Sequence, residues 1–125
     1  MKKAKVYIAG KLNDSAVGYI KNCHNMIYWA HQVRLLGCAV YVPCLDFLEG
    51  LVAGSFDYED YFENSQPWLL ASDSVFVCPG WETSEGTKRE IKIAEENNIP
   101  VIYKIDDLWK WSNPKEARSI RVTAL

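Results

Sequence analysis

Short apolar, β-branched runs alternate along this chain with longer stretches of helical periodicity. Ala4–Gly10 (AKVYIAG) is an apolar run ending in glycine, the form expected of a buried first strand. Lys11–Gly18 is polar and reads as a loop. Tyr19–Leu36 predicts a helix with Ile20, Cys23, Ile27, Ala30 and Val33 or Arg34 on its inner face, and Gly37 as its C-cap. Cys38–Val42 is a second strand, stopped by Pro43. Gly50 and Gly54 weaken Cys44–Tyr58, which reads as a loop with one helical turn. Glu59–Leu70 is helical, with Pro67 marking a kink or break. Ser74–Cys78 is the third strand, and Glu85–Asn97 is a helix facing the sheet through Ile91 and Ala94. Ile99–Lys104 is the fourth strand. A helical turn around Leu108–Trp111, Pro114 and an edge strand at Ser119–Thr123 complete the pattern.

Strands separated by helices imply parallel pairing through right-handed crossovers. The expected fold is α/β: a flavodoxin-like or Rossmann-like open parallel sheet of four or five strands, with helices on both faces. Val6–Ala9, Ala39–Val42, Val75–Val77 and Val101–Tyr103 form its centre. In the order 2-1-3-4 the switch point falls between strands 1 and 3, where such sheets bind ligands. The loops after Gly10 and Cys78 then meet over one crevice, which Tyr7, Gly10 and Pro79–Glu90 share.

Composition narrows the partners. A length of 125 residues suits one domain over 1–125 with a single core. The net charge of −2 argues against a nucleic-acid polymer, because backbone phosphates demand a basic surface. No apolar run approaches the roughly 20 residues of a membrane helix, and Met-Lys-Lys leads straight into a strand pattern. A cytoplasmic location is expected. Cys23, Cys38, Cys44 and Cys78 form no CxxC pair and read as reduced, structural thiols. His24 and His31 stand seven apart on one helix, unlike the closer spacing of helical zinc ligands. Neither a metal nor another cofactor is expected.

The segment Val75–Glu90 (VFVCPGWETSEGTKRE) carries the chemistry. A strand ends in Pro-Gly, crosses a polar loop and enters a helix at Gly86-Thr87, with Glu90 one turn inside it. Free N–H groups and the helix dipole favour anions there. A glutamate so placed can aim its carboxylate at whatever the loop holds, a suitable place for a nucleophile.

YIAG (Tyr7–Gly10), SDSVFVCPGWETSEGTKRE (Ser72–Glu90) and the A-x-x-x-x-I-P-V-I-Y run (Ala94–Tyr103) together resemble the nucleoside 2-deoxyribosyltransferase superfamily, especially small bacterial and phage members with YIAG and a PGWE-S-G-x-x-x-E loop. The likeness extends to deoxynucleoside 5′-monophosphate N-glycosidases. GTxxE also resembles the PGGxGTxxE signature of cytokinin-type phosphoribohydrolases, but five residues here separate Pro79-Gly80 from Gly86-Thr87. The resemblance implies cleavage or transfer at the N-glycosidic bond of a nucleoside or nucleotide. Glu90 matches the glutamate that attacks the anomeric carbon, in the manner of retaining glycosidases, and Tyr7 matches a tyrosine bonded near it. Gly10 would let the sugar approach the backbone. Ser84 matches a phosphate-contacting serine, although Glu82 and Glu85 flank it. Lys11 replaces a common proline and offers a cation to phosphate or carboxylate. Gly86 and Thr87 complete the loop's binding edge, and Trp81 offers an indole to stack on a base. Asp73 matches an aspartate before strand 3 and reads as a structural cap. Where the superfamily has an aspartate serving the base, this chain has Ser65; Asp57, Glu59 and Asp60 lie upstream as substitutes. The resemblance also implies a homo-oligomer with shared active sites, and Trp109, Trp111 and the Phe56–Phe62 segment would supply its aromatic contact.

Three function classes stand open. The first is an N-glycosidase or deoxyribosyltransferase. The second is a module that binds a nucleotide-like ligand without turnover, favoured by Ser65. The third is a flavodoxin-like interaction or regulatory domain; a receiver-type version would want an acidic cluster after strand 1, which Ala9-Gly10-Lys11 does not provide. At the exposed end of its helix, Glu90 would lose little stability on replacement by Gln.

Overall fold

The computed structural model describes residues 2–54 and 58–118. Its strands are β1 (Lys5–Ala9), β2 (Ala39–Tyr41), β3 (Ser74–Val77) and β4 (Val101–Ile102), all paired in parallel in the order β2-β1-β3-β4. The helices are α1 (Ala16–Leu35), α2 (Gly50–Ala53), α3 (Tyr58–Leu70), α4 (Glu85–Glu96) and α5 (Ile105–Ser112). This is the flavodoxin-like α/β arrangement read from the pattern. The expected edge strand at 119–123 lies outside the described residues.

Alternation along β1 builds two cores. Val6 and Ile8 point to one face, where Met26, Ala30 and Val33 of α1 and Leu108 of α5 cover them. Tyr7 and Ala9 point to the other, packed with Leu69 of α3 and with Ile91 and Ala94 of α4. Side chains two apart share a face, so a five-residue strand serves both layers. Asp73 fastens the entry to this centre: its Oδ2 accepts the Lys5 N–H at 2.7 Å while its own N–H reaches the Lys5 carbonyl at 2.8 Å. That is the structural role expected of it.

Three stretches depart from the sequence pattern. α1 begins at Ala16, because Ser15 caps it by accepting the Gly18 N–H at 3.2 Å. Its inner face is Met26, Ala30 and Val33, whereas Ile20 and Ile27 remain 68% and 47% exposed. The reason is that α1 is apolar on two sides. Val17, Ile20, Ile27, Tyr28 and Leu35 form an exposed stripe that the period cannot distinguish from the core face. The described part of Cys44–Tyr58 is more regular than a loop up to Ala53: a 3₁₀ helix spans Pro43–Glu49 and runs into α2. Pro67 lies inside α3 without ending it, and its carbonyl still accepts the Ala71 N–H at 3.0 Å.

Of the two tail tryptophans, one faces the core. Trp111 packs on the first core, and Leu108 beside it is fully buried. Cys38, Cys44 and Cys78 are buried, and burial pushes the Cys78 thiol up to about 12. No helix among the described residues is long and apolar enough to cross a membrane.

Because α5 closes the first core largely through Leu108, Leu108→Ala should lower stability by about 2–5 kcal/mol. Urea unfolding followed by tryptophan fluorescence measures this; an unchanged midpoint would show that α5 contributes nothing to the core.

Candidate active site

β1 and β3 run side by side, and their carboxyl ends open into a cavity of about 320 Å³. Such a volume lies at the lower end of the range for small-molecule sites, roughly 300–1,000 Å³. Tyr7, Gly10, Lys11, Ser84, Gly86, Thr87 and Glu90 all line it, so the structure gathers these sequence candidates in one place. Trp81 is the exception. It does not line the cavity; its ring tilts against Tyr103 at 5.4 Å and packs on the second core. An indole with an apolar surface to cover within the domain has no reason to turn toward the loop.

α4 sets the floor. Ser84 caps it, its Oγ accepting the Thr87 N–H at 3.1 Å and the Thr87 hydroxyl at 2.8 Å. Thr87 itself is buried and serves this cap. Two glycines sit at close approaches. A Cβ at Gly86 would stand 3.0 Å from the Tyr58 hydroxyl oxygen, and one at Gly10 would stand 3.2 Å from Cys78 Cβ. Lys11 reaches over the rim, donating from Nζ to Thr83 Oγ1 at 3.1 Å.

One turn further along α4, Glu90 meets Tyr7. The tyrosine is 1% exposed, and its hydroxyl donates to Glu90 Oε2. Burial, then the carboxylate beside it, hold the Tyr7 hydroxyl well above its ordinary range, so it stays a donor. Glu90 is half-buried by area, and it lines the cavity. Desolvation therefore pushes its carboxyl up to about 7, with the Tyr7 hydrogen bond pulling the other way. This is not the exposed helix end expected from sequence. A carboxyl poised near neutrality, short of water and held by one donor, can attack a carbon centre or take a proton.

The sequence reading missed the far wall. Tyr41 stacks on Tyr7 with ring centroids 5.6 Å apart and donates to Asp46 Oδ2 at 2.6 Å. Asp46, Tyr58, Tyr61 and Phe62 join Ser65 in the lining. Tyr41 carried a signal, since it sits at the strand end that a parallel sheet pairs with Tyr7; nothing local marked Asp46. Of the upstream acids, Glu59 pairs with Arg89 at 2.7 Å, Asp60 does not line the cavity, and Asp57 lies outside the described residues.

The parallel sheet, with a tyrosine-held carboxylate in the cavity at its switch point, defines a flavodoxin-like α/β protein. The chain belongs to the family described as Domain of unknown function (DUF4406), whose model matches residues 4–103. Its fold is similar to that of a 2-deoxyribosyltransferase from the psychrotolerant bacterium Bacillus psychrosaccharolyticus, with a TM-score of 0.60 and 23% identity over 78% of this chain and 69% of that one. No curated protein matches it.

The raised Glu90 carboxyl has a pH signature. Between its ordinary value near 4.3 and about 7, the folded state keeps a proton that the unfolded state gives up. Its contribution is therefore fully present below the ordinary value and is lost as pH rises to about 7. Glu90→Gln removes this loss. The variant's Tm, relative to wild type, should climb from about pH 4 to about pH 8; a constant difference would mean that Glu90 ionises freely in the folded protein.

Proposed function

We propose that this protein cleaves or transfers at the N-glycosidic bond of a nucleoside or nucleotide through a glycosyl ester on Glu90. The observation that carries this reading is the Glu90 carboxylate, enclosed in the switch-point cavity and held by the Tyr7 hydroxyl. The deoxyribosyltransferase of similar fold points the same way. A Glu90 oxygen bonds to the anomeric carbon, and the electron pair of the carbon–nitrogen bond leaves with the base. Water or an acceptor base then takes the sugar and restores the carboxylate. Tyr7 fixes which oxygen faces the sugar. Lys11, the Ser84 hydroxyl and the start of α4 surround the place for the sugar's 5′ end, and Lys11 would favour a phosphate there.

Ser65 supports the second reading, binding without turnover, because a buried serine cannot protonate a leaving base. A chromatographic screen for free base decides between the two, using common nucleosides and their monophosphates with and without an acceptor base. Base release should appear with wild type and fall at least 10³-fold in Glu90→Gln, since an amide is a poor nucleophile. kcat/KM should drop as pH falls below about 7, where Glu90 takes up its proton. With a 2-fluoro-2-deoxy sugar analogue, intact mass should rise by the sugar on wild type alone. Comparable turnover by Glu90→Gln would remove Glu90 from the nucleophile's place.

The same reading includes a homo-oligomer, with its contact on the exposed stripe of α1. Val17, Ile20, Ile27, Tyr28 and Leu35 are five large apolar side chains exposed on one helix, and α1 carries no acidic residue. Ile20→Glu should shift sedimentation toward the monomer; a monomeric wild type at micromolar concentration would refute the contact.

A further inference from the structure

A base expelled from a sugar as an anion is a poor leaving group, so its departure calls for a proton. Ser65 cannot give one: it is buried, and its hydroxyl donates to the Phe62 carbonyl at 3.4 Å. Glu85 lines the cavity but lies exposed at the rim, paired with Lys88 at 3.4 Å. Apart from Glu90, the remaining carboxyl among the described lining residues is Asp46.

Asp46 is held as Glu90 is held. Tyr7 and Tyr41 are register partners on neighbouring strands, so their side chains leave the sheet on the same face. Each hydroxyl reaches one carboxylate, Tyr7 to Glu90 on α4 and Tyr41 to Asp46 in the 3₁₀ helix. Asn64 Nδ2 adds a second donor to Asp46 Oδ2 at 3.4 Å, and Trp68 stacks on Tyr41 at 5.7 Å. Both bonds fall on Oδ2, and among the described residues Oδ1 has no hydrogen-bond partner. The cavity thus has two tyrosine-anchored carboxyls, each with an oxygen to spare among the described contacts.

We infer that Asp46 is the acid–base partner of the leaving base, an assignment that rests on the glycosyl-transfer reading above. In the first half-reaction the Asp46 carboxyl gives its proton to a ring nitrogen of the base. The carbon–nitrogen bond breaks with its electron pair going to the base, and a Glu90 oxygen bonds to the anomeric carbon. Asp46 ends as a carboxylate. In the second half it takes a proton from the attacking water or acceptor base, the glycosyl ester opens, and Glu90 and Asp46 return to their starting forms.

The test compares two substrates on the full chain. One is a purine 2′-deoxynucleoside; the other is its N7-methylated form, whose base already carries a positive charge and leaves without a proton. A p-nitrophenyl 2-deoxyriboside serves as the activated substrate if wild type rejects the methylated one. Asp46→Asn should cut kcat/KM on the unmodified nucleoside by about 10²–10⁴-fold and on the activated substrate by less than about 3-fold. The ratio of the two cancels the folded fraction, so partial misfolding cannot imitate the result. If the Asn variant does not fold, Asp46→Ala should give the same ratio. Equal losses on both substrates, or none on either, would overturn the Asp46 assignment and leave the glycosyl-transfer reading standing. A wild type that releases no leaving group from any substrate would overturn both.

Discussion

The register of β1 between β2 and β3 is the constraint on which the site depends. Parallel pairing on both sides brings three strand ends to one edge, and Tyr7 stands opposite both Tyr41 and Val75. A one-residue slip would turn Tyr7 into the first core and Ile8 into the second. Glu90 would then face an aliphatic side chain with no donor, and its burial would be uncompensated. Asp73, immediately before β3, bridges to Lys5 and holds that register at the opposite end of β1. A strand buried at four of its five positions and the candidate chemistry are one arrangement.

Glu90 shows what that arrangement costs. A carboxyl out of open water, with a single hydroxyl donor, is a poor contributor to stability at neutral pH. The surroundings tolerate it because the neighbouring positions of α4 are conventional. Thr87 and Ser84 satisfy the helix start, and Ile91 and Ala94 bury against the sheet. Arg89, one residue away, points to α3, where it pairs with Glu59 and lies 3.6 Å above the Phe62 ring.

Much of this was legible in the chain. The four strands announced themselves as β-branched runs punctuated by Gly and Pro, and topology followed from the helices between them. Strand order alone pointed to Tyr7, Gly10 and Pro79–Glu90 sharing one crevice, and of that segment Thr83–Thr87 and Glu90 line it. The phase of α1 was not legible, because Val17, Ile20 and Leu35 carry the same apolar character as Met26 and Val33. Trp81 was misplaced because a loop tryptophan gives no local sign of which surface it covers. Asp46 was invisible for a different reason. Its meaning depends on Tyr41, and Tyr41 matters only once register sets it beside Tyr7.

The two sides of the cavity come from different kinds of structure. One is a central strand and a twelve-residue helix, both packed across the sheet. The other is the 3₁₀ helix Pro43–Glu49, through Pro43 and Asp46, and the first turns of α3. Replacements in that second wall can reshape the space offered to a ligand while Tyr7 and Glu90 keep their geometry. Such a division lets selectivity drift among related chains without the reacting groups being rebuilt, so ligand preference could differ between two members that share YIAG and GTxxE.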